Sequence, residues 1–239
     1  MAEKDPPFTA ETLALLSHEL RSPLTAVIGN ADMLASGHMG ALTAEQRDCA
    51  AAILERSQAL LLGIEAALDL FGASLGELSL LRGSVQPAEV VEAALAEVLA
   101  SAKRRKVTLH ASVAADLHPC SLDRRRIQQS LAQLLGHAIQ LSPRGGEIRV
   151  EARRLLRGGA LGLLEIAVAD FGPGIPLGEL TRLLDGDLDA SVGGPHPVGG
   201  LGLGLALVRA HAAAHGGRVE LAAEERGSRV SILLPIEPA

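Results

Sequence analysis

The chain has no tryptophan, no tyrosine and only three phenylalanines among its 239 residues. Without aromatic platforms for stacking bases, and with a formal net charge of -6, it offers no footprint for a polynucleotide, so nucleic acid is excluded as a partner. Cysteine is almost as scarce. Cys49 and Cys120 stand alone, without the spacing of a metal knuckle or a redox pair, which excludes a disulfide framework and suits a reducing compartment. Long apolar runs are missing too: charges interrupt each one short of the ~20 residues that a membrane span needs. The first residues, MAEKDPPFTAE, are polar rather than leader-like. The expectation is a cytoplasmic segment without membrane contact, complete or cut from a longer receptor.

What is present is an apolar content of 48%, ample for buried cores, laid out in two successive patterns. The first is helical. Leu13, Leu20, Val27 and Leu34 recur every seven residues with Leu16, Leu24 and Ala31 between them, a seam of a and d positions on one long helix. Gly37 to Leu42 reads as a turn, and Thr43 with Gln46 three residues later reads as a capping box that starts a second helix. Its seam is Leu54, Leu61, Ile64, Leu68, Phe71, Leu75 and Leu78. The two segments predict an antiparallel helical hairpin over 8–82 that buries one face, so a homodimer closing a four-helix bundle is the natural completion. In this register His18 takes an outward f position. Pro23 lies inside the helix, leaves the Glu19 carbonyl without its N–H donor and predicts a bend one turn after His18.

From residue 86 to the C-terminus the periods alternate. Pro87 to Arg105 is an amphipathic helix, closed by the basic run Lys103 to Lys106. Val107 to Val113 alternates as a strand, Asp123 to Leu141 is helical, and Glu147 to Leu155 with Leu161 to Ala169 predict a hairpin of strands around Arg157 to Gly159. After a loop and a helix come strands at Arg218 to Ala222 and Ser228 to Pro235. The fold class is thus α plus α/β: the hairpin, then a two-layer α/β sandwich.

Three boxes carry chemistry. SHELRSPLTAVIGN places Glu19, Arg21 and Ser22 beside His18, where an imidazole on a helix surface can accept a phosphoryl group. ADFGPGIP ends a strand at Asp170 and follows it with Gly172, Gly174 and Ile175, a turn that lets backbone approach a flat ligand while the carboxylate accepts from an exocyclic amine. PHPVGGLGLGL, with Gly200, Leu201, Gly202, Leu203 and Gly204, runs straight into a helix, where N–H groups and the positive helix end favour a phosphate. Leu205 stands where a dinucleotide fingerprint needs glycine, and no P-loop lysine is present.

In this order the boxes resemble the transmitter core of two-component sensor histidine kinases, over about Phe8 to Ile236. That resemblance implies a dimerisation and phosphotransfer hairpin joined to an ATP-binding domain of the Bergerat, or GHKL, type. It makes His18 the phosphoacceptor and Glu19 the carboxylate that handles its proton. Ser22 stands where the family has Thr or Asn to position water for dephosphorylating the partner. The resemblance also assigns adenine recognition to Asp170, pocket shaping to Gly172 and Gly174, phosphate wrapping to Gly200, Gly202 and Gly204, and a nucleotide lid to 185–199. ATP with Mg²⁺ would be the cofactor, and a response-regulator receiver domain the partner.

The pattern departs from the family in one box. SLAQLLGHAIQLSP sets Gln133, His137 and Gln140 where two asparagines and a lysine are usual, and the second asparagine is the expected Mg²⁺ ligand. Mg²⁺ prefers oxygen, so the resemblance leaves the metal ligand unknown. The phenylalanine-bearing box before the lid is also missing. Three readings follow: an ATP-dependent histidine kinase, a pseudokinase that signals by conformation, and a phosphotransferase or phosphatase fed by another protein. Two further features have bland readings: His211 and His215, one turn apart but without a third ligand, are not expected to bind metal, and Arg124, Arg125 and Arg126 read as a solvated face.

Overall fold

The computed structural model describes residues 10–75, 78–156, 162–172, 174, 201–224 and 226–236. The chain divides into two compact units, Met1–Leu78 and Ser79–Ala239.

The first unit is a hairpin of α1 (Ala10–Ala35) and α2 (Ala44–Ser74). α1 ends in a Schellman turn: Gly37 takes φ +79°, its N–H reaches Leu34 O at 3.1 Å, and His38 N–H reaches Met33 O at 3.1 Å. The capping box predicted at α2 is formed. Thr43 Oγ1 accepts from Gln46 N at 3.2 Å, and Thr43 N donates to Gln46 Oε1 at 3.0 Å. α1 continues through Pro23. Arg21 ties the helices together, its Nε and Nη2 both donating to Glu65 Oε1 at 2.8 and 2.7 Å. Among the described residues Ala31, Ala50 and Ala66 of the hairpin are buried, whereas Leu20, Val27, Leu34 and Phe71 of the seams keep 37–43% of their surface.

The second unit carries a five-stranded mixed sheet in the order β2-β4-β5-β7-β6, made of β2 (Thr108–Val113), β4 (Glu147–Leu155), β5 (Leu163–Asp170), β6 (Arg218–Ala223) and β7 (Ser228–Pro235). β2 and β4 run parallel and the other neighbours antiparallel. Alternation decides the faces. Ile148, Val150 and Ala152 of β4 meet Leu164, Ile166 and Val168 of β5 on one face, under α3 (Pro87–Arg105), α4 (Arg124–Leu141) and α5 (Leu201–Ala214). On the opposite face the buried carboxylate of Glu165 is held by Arg153 Nε at 2.5 Å and Ser231 Oγ at 2.9 Å. α3 closes on Lys106 in the left-handed region, φ +58°, after its basic last turn, as the charge run predicts.

A second, two-stranded sheet was not foreseen. β1 (Gly83–Val85) pairs with β3 (Cys120–Leu122) in antiparallel register, and strands of three residues are too short to show alternation. They hold Ser79–Val85 against the start of α4: Leu81 N donates to Asp123 Oδ2 at 2.9 Å. The predicted loop at 157–159 and the lid at 185–199 lie outside the described residues.

Candidate functional site

At the end of β5, where the sheet meets α4 and α5, lies a half-open pocket. Leu134, Ala138 and Leu141 of α4, Val168 of β5, Leu205 of α5, Leu221 of β6 and Val230 of β7 give it apolar walls, and Asp170, His137 and Ser228 give it polar points. Apolar walls with a few convergent polar groups suit a small, largely apolar ligand such as a heterocycle.

Asp170 is the last residue of β5 and is 7% exposed. Burial pushes its carboxyl above the ordinary range, opposed by backbone N–H groups of Gly172 and Ser228 that stabilise the charged form. Gly172 N donates to Oδ1 at 2.9 Å. The glycines after it are required by space. A Cβ on Gly172 would lie 3.0 Å from that Oδ1 and 3.1 Å from Leu141 O, while Gly174 has φ +75° and packs on Gly227 O. Gly227, φ +84°, was not singled out in the sequence: a Cβ there would meet Asp170 Oδ1 at 2.8 Å and overlap its carbonyl. Its only local sign is a glycine between two strands, and the residue it serves is remote in sequence.

Across the pocket α4 presents His137, one turn after Gln133. Among the described residues His137 Nε2 has no hydrogen-bond partner although it is buried, and burial lowers the imidazole to about 4, so the ring is neutral at pH 7. Gly204 of α5 faces both side chains. A Cβ on it would stand 2.5 Å from His137 Nε2 and 3.3 Å from Gln133 Oε1. The structure thus gathers Gln133, His137, Asp170, Gly172, Gly174 and Gly204 around one site. Gln140 instead is exposed, and Arg105 Nη2 donates to its carbonyl. Leu201, Gly202 and Leu203 form the first turn of α5, whose N–H groups lack intrahelical acceptors, and nothing is described of their side chains. Ile175 and Gly200 lie outside the described residues. In the hairpin unit His18 lies on α1 and its side chain is not described, while Glu19 and Ser22 are exposed on the same helix.

His211 and His215 are structural. His215 is 2% exposed, its Nδ1 bonded to His211 O at 2.7 Å and its Nε2 accepting from Asp123 N at 2.9 Å, which fixes a neutral tautomer. His211 is fully buried beside Ser130 Oγ, 2.9 Å from its Nδ1. The reading of Arg124–Arg126 as a solvated face needs correction at Arg126. This side chain reaches inward to His211 Nε2 at 3.3 Å and pairs with Asp123 at 3.6 Å, whereas Arg124 and Arg125 stay exposed.

The two donors beside Gly204, Gln133 Oε1 and His137 Nε2, suit Mg²⁺ poorly, since one of them is a nitrogen. That ion demands oxygen in near-ideal octahedral geometry, and the orphaned group that the pocket aims at Gly204 is an imidazole nitrogen.

Both parts of the chain match known families. Residues 9–71 match the His Kinase A (phospho-acceptor) domain, and residues 122–238 match the histidine kinase-, DNA gyrase B- and HSP90-like ATPase family. Histidine protein kinase DivJ of Caulobacter vibrioides is 35% identical over 95% of this chain and 37% of its own length. The circadian input-output histidine kinase CikA of Thermosynechococcus vestitus is 36% identical over 93% of this chain and 30% of its own. The chain therefore spans well under half of these relatives. Among solved structures, full-length ShkA in complex with AMPPNP superposes with a TM-score of 0.70 at 27% identity, over 97% of this chain and 47% of that one. The Acinetobacter baumannii histidine kinase AdeS shares the fold, with a TM-score of 0.59 over 92% of this chain and 98% of its own. With a phosphoacceptor-type hairpin followed by a GHKL-type α/β domain, the chain belongs to the histidine kinases and constitutes a transmitter core.

Proposed function

We propose that the chain binds ATP in the Asp170 pocket, transfers the γ-phosphoryl group to His18, and passes it to an aspartate on a response-regulator receiver domain, working as a homodimer. The observation that carries the reading is the buried carboxylate of Asp170 at the floor of an apolar pocket, backed by glycines that leave room for a ligand and nothing larger than hydrogen on its own turn. An exocyclic adenine amine donates to that carboxylate while the purine lies between the apolar walls. The phosphates then extend toward the first turn of α5, where free N–H groups and the positive helix end attract them.

Transfer needs a neutral imidazole nitrogen at His18. It attacks the γ-phosphorus, the bond to the bridging oxygen breaks, and ADP leaves with the electron pair, while Glu19 takes up the ring proton. Ser22, one turn from His18, keeps a hydroxyl able to orient water for hydrolysis of the phosphorylated receiver. Mg²⁺, when it accompanies ATP, screens phosphate charge. Since the residues present do not suit that ion, no step is assigned to it.

Incubation with γ-labelled ATP is the test. The chain should acquire an acid-labile, alkali-stable label that His18→Ala removes. If no such label forms where a control kinase is labelled, the kinase reading fails, and tight nucleotide binding without turnover would then define a signalling scaffold.

A further inference from the structure

We infer that Arg126 is a positioning residue for the nucleotide site: with His211 it locks the lengthwise register of α5 on α4, and so the place of the turn that receives the phosphates. This rests on the ATP reading of the pocket. Arg126, Ser130, Gln133 and His137 recur along α4 at steps of four, three and four, which puts them on one helix face. That face meets α5. Gly204 lies over Gln133 and His137, His211 over Ser130 and Arg126, and His215 at Asp123, so the two helices run antiparallel in one defined register. A purely apolar seam tolerates sliding because its attraction has no direction, whereas hydrogen bonds fail within a fraction of an ångström and a few tens of degrees.

Arg126 closes the seam at the end away from the pocket. A guanidinium can only donate, so Nη1, 3.3 Å from Nε2 of His211, makes that nitrogen the acceptor and leaves the ring proton on Nδ1. Nδ1 lies 2.9 Å from Ser130 Oγ and 3.1 Å from the carbonyl of Arg126, so the fully buried ring is held to α4 through both nitrogens. A slip of α5 by one residue, ~1.5 Å, would break these bonds together and leave buried polar groups unpaired. Gly204 is seven residues from His211 on the same helix, ~10 Å along its axis, so the slip would reach the phosphate turn undiminished. Phosphoryl transfer is sensitive to displacements of that size. Arg126 also reaches the chain that enters this unit. Its Nη2 donates to the carbonyl of Ser79, the first residue of the unit, at 3.4 Å, while Asp123, 3.6 Å from Arg126 Nε, accepts Leu81 N at 2.9 Å. The residues that set α5 therefore hold Ser79–Leu81 as well, and a nucleotide that steadies α5 steadies this segment.

Two ligands separate positioning from general stability. The full natural chain and Arg126→Met, which keeps an unbranched apolar stem and removes the donors, are titrated with adenosine, which occupies only the Asp170 pocket, and with the non-hydrolysable analogue AMPPNP, whose phosphates need the α5 turn. Arg126→Met should lose at least five-fold in AMPPNP affinity and stay within two-fold for adenosine. An equal loss for both ligands, the mark of a loosened fold, or no loss for either, overturns the inference and leaves the ATP site standing. A natural chain that binds neither ligand overturns the ATP reading and this inference with it. Amide hydrogen exchange on the unmodified sequence gives a second measurement that does not depend on the variant folding. Saturating AMPPNP should slow exchange of the Leu81 N–H at least five-fold, while saturating adenosine leaves it within two-fold. A Leu81 amide that ignores AMPPNP, or responds equally to adenosine, overturns the lock between α5 and this segment.

Discussion

His137 and Gly204 approach so closely that a Cβ at residue 204 would stand 2.5 Å from the imidazole Nε2. The contact joins α4 to the first turn of α5 and explains a glycine inside a helix, where it is otherwise unfavourable. Gly204→Ala should therefore destabilise the α/β unit by about 1–3 kcal/mol, the cost of overpacking, although alanine is the better helix former. The imidazole is the obstacle, so His137→Ala should relieve much of that loss. Urea unfolding of the two single variants and the double variant measures this, and additive effects would show that the two residues do not press on one another.

Asp170 combines two jobs, accepting the turn's N–H groups and facing the pocket. Asp170→Asn keeps an acceptor for Gly172 N but loses the charge and turns one oxygen into an NH₂ donor, which opposes an adenine amine. Nucleotide affinity should fall at least ten-fold while the thermal midpoint moves by no more than a few degrees. A fluorescent nucleotide displaced by ATP reads the first quantity and scanning calorimetry the second. Unchanged affinity would move the adenine site elsewhere.

Acid should loosen the junction between α4 and α5 through His215. Its pKa is lowered from 6.5 chiefly by burial, so the folded state holds it neutral, with Nε2 accepting from Asp123 N. The unfolded chain binds the proton more readily. This contribution to stability is complete above pH 6.5 and is lost as pH falls below 6.5 toward the lower folded value. His215→Gln cannot titrate, so it should be less stable than the natural sequence at pH 7 and lose less on acidification. Chemical denaturation at a series of pH values tests it; parallel profiles for the two proteins would remove His215 as the cause.

How much of this was legible in the sequence depended on distance along the chain. The capping box of Thr43 and Gln46 spans three residues, and Asp170 with Gly172 spans two, so local chemistry exposed both. The period-2 alternation of β4 likewise announced a strand with one apolar face. What stayed hidden joins remote residues: Gly227 under Asp170, Gly204 against His137, and Arg126 reaching His211 across the helix pair. A run of three arginines looks uniformly solvated, yet helical rotation turns the third one inward beside the N-cap Asp123. The strands β1 and β3 escaped because three residues carry no measurable period.

The hairpin yields the last prediction. Leu20, Val27 and Leu34 recur at one heptad position, and the single hairpin leaves them 40, 43 and 37% exposed although Ala31 beside them is 3% exposed. Three branched apolar side chains half in water along one helix face form a stripe that a second hairpin would cover, releasing on the order of 25 cal/mol per Å² of apolar surface. Val27→Glu places a charge in the middle of that stripe, where pairing would have to desolvate it. Sedimentation at micromolar concentration should give twice the chain mass for the natural sequence and the single-chain mass for Val27→Glu, with helical circular dichroism retained in both. A natural chain that sediments as a monomer across this range would show that the stripe does not drive association and would remove the homodimer from the proposed mechanism. A dimer that persists in Val27→Glu would place the interface on another face of the hairpin.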